Sequence, residues 1–155
     1  MGFYTSIVAV LAIIYGIIIT IVSLNLGSRM ADTETKCNKD AIKSNQGLLV
    51  VGGVMMAFGI SYLSCNFMCE CRGGKSDYML DNSIVFSAGT IIVSIICITL
   101  SAVIENTGRS CIHDINRTTM SVWIPGIIIL MAGLTLLGLH LWVGGGLHRG
   151  RFVTL

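Results

Sequence analysis

Cysteines are the residues of this chain that offer the most chemistry, and three of the six crowd into one short segment. That segment is Cys65-Asn66-Phe67-Met68-Cys69-Glu70-Cys71. A thiol–disulfide oxidoreductase needs two cysteines close enough to cycle, commonly as Cys-x-x-Cys, whereas the closest spacing here is Cys69-x-Cys71. A membrane thiol oxidoreductase is therefore only an alternative function, and we expect that the chain is not an enzyme.

Metal and proton chemistry have fewer candidates. Cys111, His113 and Asp114 are potential ligands, but no second cluster accompanies them to complete a structural zinc site. His140 is the one histidine within a long apolar run, and these runs contain no Asp, Glu, Lys or Arg. Ion-coupled carriers place charged residues there. We therefore expect His140 to form a hydrogen bond between helices, and we predict no metal site and no cofactor.

Four apolar runs must position these residues, at 7–26, 47–68, 84–104 and 122–143. Each has about the 20 residues that a helix needs to cross a hydrocarbon core of about 30 Å. None has the polar face of a helix in a soluble protein. Ser121 as an N-cap and Pro125 in a first turn predict that the fourth helix begins near Val122. The sequence thus predicts a single all-α membrane domain, 1–155, with four spans and short loops.

The composition agrees with a membrane protein. Hydrophobic residues make up 54% of the chain and charged residues 12%, about half the charged share of soluble domains. Charge this sparse cannot cover a soluble surface, so we expect the lipid bilayer to be part of the solvent. The net charge of +2 is small and scattered, which argues against nucleic acid as a partner.

Small and polar residues recur every three or four positions in the apolar runs. The third run carries Ser87, Thr90, Ser94, Cys97 and Ser101, and the first carries Ala9, Ala12, Gly16, Thr20, Ser23 and Gly27. The second carries Gly52, Gly59 and Asn66 at heptad spacing, and the fourth carries Gly126, Gly133 and His140. Small residues let helix backbones approach closely in lipid. This period predicts a left-handed antiparallel bundle with these seams inside and Ile, Leu and Val facing lipid.

Two polar residues end their seams at similar depth in the membrane, Asn66 in the second run and His140 in the fourth. An amide or imidazole without a partner in hydrocarbon loses several kcal/mol of hydrogen bonding. We therefore predict that both side chains face the bundle interior and bond to each other or to Ser87.

The orientation in the membrane depends on features that disagree. The first and third loops carry six Lys and Arg residues against four on the other side, which weakly favours a cytosolic position for these loops. However, Asn116-Arg117-Thr118 is a glycosylation sequon, and Cys37 and Cys111, one in each loop, are suited to a disulfide. Both features favour the lumen or the cell exterior for these loops, so we place both termini in the cytosol.

Lipid attachment is predicted at the cytosolic face. Cys65, Cys69 and Cys71 would lie there beside the second span, which is where cysteines are palmitoylated. The first six residues, Met1-Gly2-Phe3-Tyr4-Thr5-Ser6, match the pattern for myristoylation at Gly2, although the bulky Phe3 disfavours it.

The order of spans, the small-residue heptads and the cysteines at the end of the second span resemble those of tetraspanins. The resemblance implies a four-helix architecture. Tetraspanins have a large ectodomain with a Cys-Cys-Gly motif between the third and fourth spans, whereas this chain has a short loop with Cys111 alone. The Trp and paired cysteines of claudins are also missing from the first loop. No functional residue is transferred from either family.

These features favour a structural or organising function. We expect a tetraspan protein that anchors or scaffolds an assembly in a membrane. Its partners would be the lipid bilayer and other membrane or membrane-apposed proteins, with homo-oligomerisation left open. A eukaryotic endomembrane or plasma membrane, or the internal membrane or envelope of a large virus, would suit it. A small channel or transporter subunit is the first alternative.

Overall fold

The computed structural model describes residues 2–32, 39–71, 76–109, 112 and 114–151, with side chains for 4–31, 39–68, 83–109, 112 and 114–142. In these parts the chain forms four α-helices and no strand. They are α1 (Gly2–Asp32), α2 (Lys39–Cys71), α3 (Ser76–Gly108) and α4 (Ile115–Arg151). Each helix contains a stretch long and apolar enough to cross a membrane: Tyr4–Ala31, Lys39–Met68, Ser83–Gly108 and Ile115–Trp142. The predicted all-α architecture with four spans is confirmed.

Each helix packs against the next one in the chain, and α4 also packs against α1. The α1–α2 and α3–α4 contacts are the most extensive, and the α1–α4 contact is the least extensive of the four. Across the bundle α1 touches α3, whereas the described parts of α2 and α4 do not touch. Neighbouring helices are antiparallel, since Gly59 of α2 meets Ala9 of α1 while Asn45 meets Ser23.

All four helices continue beyond the predicted spans at the end of the bundle where α1 leads to α2 and α3 leads to α4. We call this the loop end, and the opposite end, with both termini, the terminal end. The extra helical segments are four to eight residues long, or about 6–12 Å at 1.5 Å per residue. Hydropathy marks the part of a helix that suits hydrocarbon, whereas the helix itself continues through the polar residues that follow.

The predicted start of the fourth helix near Val122 is wrong. α4 begins at Ile115, so Pro125 lies in the interior of the helix. Ser121 does not cap the helix, because its hydroxyl donates to the backbone oxygen of Thr118 at 2.6 Å, one turn earlier within α4.

Two hydrophobic clusters fill the interior. The larger extends from the middle of the bundle to the loop end, where it includes Met30, Ala41, Ile112 and Ile115. The smaller lies toward the terminal end, around Phe86. Many Ile, Leu and Val side chains of all four helices are exposed on the outer surface, where they contact the lipid.

Candidate functional site: the small and polar interior

Glycines of the predicted seams lie where α1 and α2 come closest. A Cβ atom on Gly16 would lie 2.6 Å from Cγ of Met56 and 2.8 Å from the backbone oxygen of Gly52. A Cβ atom on Gly52 would lie 2.9 Å from the Thr20 hydroxyl, and one on Gly59 would lie 2.6 Å from a side-chain carbon of α1. Real Cβ atoms do not approach other atoms this closely, so the α1–α2 contact requires glycine at these positions.

The small residues of α4 and the middle of α1 are buried in the same way. A Cβ atom on Gly126 would lie 2.5 Å from the hydroxyl oxygen of Tyr15, and one on Gly133 would lie 3.1 Å from Cγ1 of Ile91. Ala12 is 1% exposed. These positions therefore lie between helices, not against lipid.

The seam of α3 is the most completely buried feature of the interior. Its members all have 0% exposure: Ser87, Thr90, Ser94, Cys97 and Ser101. The Ser87 and Thr90 hydroxyls donate to backbone oxygens one turn earlier in α3, both at 2.8 Å. The Ser94 and Ser101 hydroxyls have no hydrogen-bond partner in the described part of the chain. The seam thus combines close packing with hydrogen-bonding capacity that is not used.

Ser23 and Asn45 form a polar clamp between α1 and α2. The Ser23 hydroxyl lies 2.8 Å from the backbone oxygen of Asn45 and 3.0 Å from its Oδ1, and Nδ2 of Asn45 donates to the backbone oxygen of Ser23 at 3.0 Å. Both residues are buried. Sequence reasoning missed Asn45 because it counted this residue in the first loop. Extending the Gly52–Gly59 heptad backwards by seven residues would have found it.

Tyr15 joins α1 to α4. Its hydroxyl donates to the backbone oxygen of Val122 at 2.9 Å, and the side chain is 1% exposed. The Cys97 thiol lies beside it in the larger hydrophobic cluster. The heptad pattern of small residues does not include Tyr15. A tyrosine in the middle of an apolar run nevertheless needs a partner for its hydroxyl, and this could have indicated a contact with another helix.

An aromatic group joins α2 to α3 near the terminal end. The rings of Tyr62 and Phe86 stack with centroids 4.2 Å apart, and those of Phe58 and Phe86 with centroids 5.6 Å apart. The hydroxyls of Tyr62 and Ser83 lie 2.9 Å apart. Gly89 makes room for this group, since a Cβ atom there would lie 2.5 Å from the Phe58 ring.

The predicted hydrogen bond among Asn66, His140 and Ser87 is wrong. His140 is buried, but its Nδ1 pairs at 2.7 Å with the backbone oxygen of Leu136 in its own helix. Ser87 also bonds within its own helix. The half-buried Asn66 lies instead on an open groove between α1 and α2, together with Ser6 and Phe67. A backbone oxygen one turn away satisfies each buried group more locally than a partner on another helix.

The predicted modification sites are only partly described. Cys65 is exposed with a free thiol near the end of α2. Cys69 and Cys71 lie in the last turn of α2, and Gly2 is the first residue of α1, but the side chains there lie outside the described residues. Cys37 and Cys111 also lie outside them. The disulfide and the lipid attachments stay predictions.

The glycosylation candidate Asn116 is exposed and lies in the first turn of α4, not in a loop. Its backbone oxygen accepts a hydrogen bond from the Thr119 hydroxyl at 3.1 Å. Glycosylation at this helical position stays a prediction. Among the described residues, no three His, Cys, Asp or Glu side chains lie close enough together to hold a metal ion.

Comparisons of the chain with family models, with curated proteins and with solved structures find no match. Since one fold can support many functions, the four-span architecture does not by itself identify an activity.

Proposed function

We propose that the chain is a structural membrane protein that organises an assembly through lateral contacts between its helices and those of neighbours, further copies of itself included. The observation that supports this proposal is that most of the protein surface faces the bilayer. Only four to six residues separate consecutive helices. Of the most apolar 18-residue stretch of each span, just 28–39% is buried inside the bundle. Most of the surface on which a partner could be recognised therefore faces the bilayer.

One lipid-facing surface is suited to close contact with another helix. Gly53, Ala57, Ser61 and Cys65 recur at every fourth position of α2, where Gly53 is half-buried and the other three are exposed. A Cβ atom on Gly53 would meet nothing within 4 Å, unlike one on the neighbouring Gly52. We call these four residues the outer α2 face. Small residues at this spacing let two helix backbones approach closely in lipid, which supports a role in lateral packing.

A small channel or transporter subunit is the second candidate. It is favoured by the polar seam of α3, which follows the inside of the bundle from Ser87 to Ser101. Both residues have 0% exposure, so a conducting path along the seam would require the helices to separate.

Energy transfer between donor- and acceptor-labelled copies in lipid vesicles tests the proposal. Copies of the unaltered chain should associate, and association should weaken as lipid dilutes the protein. Gly53→Leu combined with Ala57→Leu should lower the association constant roughly tenfold, or about 1.4 kcal/mol. Gly138→Leu is the matched control, because Gly138 of α4 is exposed and a Cβ atom there also meets nothing within 4 Å.

The same vesicles separate the alternatives. One result would overturn the proposal in favour of a channel. In that case energy transfer between unaltered copies would be no higher than expected for copies distributed at random in the lipid, and ion or solute flux would exceed that of empty vesicles. Cysteine-dependent turnover of a quinone or dithiol would overturn it in favour of an oxidoreductase. Equal loss of association in the Gly138→Leu control would contradict the assignment to the outer α2 face.

A further inference from the structure

Pro125 weakens α4 at one point in its interior. Proline has no N–H, so it cannot donate to the backbone oxygen of Ser121 four residues earlier, and its ring crowds that oxygen. The Ser121 hydroxyl donates to the backbone oxygen of Thr118. Proline is one of the few causes of sharp bends in helices. Pro125 therefore leaves α4 one backbone hydrogen bond short at Ser121, and this is the point at which the helix bends most easily.

Tyr15 attaches α1 to α4 at this point. Its hydroxyl donates to the backbone oxygen of Val122, the residue after Ser121. Gly126, the residue after the proline, leaves room for the hydroxyl, since a Cβ atom there would lie 2.5 Å from it. A single buried hydrogen bond thus connects α1 to the weakest part of α4.

The α1–α4 contact is also where the bundle loses least packing if it opens, because it is the least extensive contact between neighbouring helices. Behind it lies the α3 seam, which α1 touches across the bundle. The Ser94 and Ser101 hydroxyls of this seam are fully buried without a partner in the described part. These two hydroxyls therefore contribute no hydrogen bond that would hold the bundle closed at the seam.

We infer that the bundle opens laterally between α1 and α4 by bending of α4 at a hinge formed by Pro125, and that the Tyr15–Val122 hydrogen bond is the latch that holds it closed. Opening exposes the α3 seam, including Cys97, to the lipid. This conformational device does not depend on lateral assembly, and it would operate in a single copy of the chain.

Cys97 is a built-in reporter of this opening, because it is fully buried in the same cluster as Tyr15. With the other five cysteines replaced by alanine, the full chain in vesicles is treated with a small membrane-permeant maleimide, and the rate of Cys97 modification is measured. Tyr15→Phe keeps the ring and removes the latch, so the rate should rise about 3- to 15-fold, the range that one membrane hydrogen bond supports. Pro125→Ala removes the hinge, so it should lower the rate of Cys97 modification. The decrease should be seen both in the chain with Tyr15 and in the Tyr15→Phe chain.

Tyr62→Phe is the matched control, because it removes a buried hydroxyl that joins α2 to α3 instead of α1 to α4. The rate of Cys97 modification in the Tyr62→Phe chain should equal the rate in the chain that keeps Tyr62. This comparison distinguishes opening of the α1–α4 contact from a general loss of packing in the bundle. Equal rates for Tyr15→Phe and Tyr62→Phe would overturn the latch. A Pro125→Ala rate at or above that of the proline-containing chain would overturn the hinge.

Discussion

At the scale of single residues, the hydrogen bonds that buried polar side chains form in the interior are of two kinds. Thr90 and His140 bond to backbone oxygens of their own helices, whereas Tyr15 and Asn45 bond to another helix. Bonds of the first kind satisfy a buried group but do not restrain its neighbours. Bonds of the second kind fix how far one helix is shifted along the next, so their loss should change the stability of the whole bundle.

The clamp between Ser23 and Asn45 should show this in a double-mutant cycle of Ser23→Ala and Asn45→Ala. Only the bond from the Ser23 hydroxyl to Oδ1 of Asn45, at 3.0 Å, joins the two side chains, because the other two bonds accept at backbone oxygens that both substitutions keep. We therefore expect a coupling of about 1 kcal/mol, within the range of about 0.6–1.7 kcal/mol for membrane side-chain bonds. The free energy of unfolding is measured by titrating detergent-solubilised protein with SDS.

The control cycle pairs Ser23→Ala with Thr99→Val, which removes an exposed bond within α3. Its two effects should add within about 0.5 kcal/mol, because the residues share no partner. Additive effects for Ser23 and Asn45 themselves would show that their two side chains do not bond to each other.

At the scale of helices, the apolar runs predicted the number of spans because hydrocarbon tolerates few other sequences. Heptad spacing identified contact residues such as Gly16 and Gly52, since only small residues fit where backbones nearly touch. The helix ends were not predictable from hydropathy, because segments such as 115–121 are polar and still helical. The hydrogen bond of Tyr15 was not predictable, because its partner is a backbone oxygen 107 positions away and no local sequence pattern indicates that contact.

Adjacent glycines of α2 provide a test of the helix contact. Gly52→Ala should destabilise the bundle by about 1–3 kcal/mol, because the added methyl group would lie 2.9 Å from the Thr20 hydroxyl and 3.0 Å from Cγ2 of Ile19. Gly53→Ala should be neutral or stabilise by up to about 1 kcal/mol, since alanine favours helix and the site is open. The same SDS titration compares them, and equal effects would refute the α1–α2 packing.

The helical extensions at the loop end should also contribute to stability. Ile115 lies outside the predicted span yet is 1% exposed in the larger hydrophobic cluster. Ile115→Ala should therefore destabilise by about 2–4 kcal/mol, as in other buried sites. Met120→Ala, at 40% exposure, should cost clearly less in the same titration. An Ile115→Ala effect no larger than that of Met120→Ala would show that the extensions do not pack.

At the scale of the whole molecule, the four spans of the described residues place Gly2, Cys71 and Arg151 on one side of the membrane. We predict that this side is the cytosol. An impermeant maleimide should then label Cys69 and Cys71 from the cytosolic face of sealed vesicles. Labelling should fail from the opposite face until detergent is added. Labelling from the luminal face alone would reverse the orientation, and with it the prediction of palmitoylation.

Photo-crosslinking in the native membrane shows directly whether the outer α2 face contacts protein or lipid. A photoreactive amino acid is placed at Ala57 on the outer α2 face or at Ile128, a lipid-facing residue of α4 that is 62% exposed. Lateral assembly should give protein adducts from position 57, either with a second copy or with another membrane helix, and mainly lipid adducts from position 128. Lipid adducts alone from both positions would contradict it.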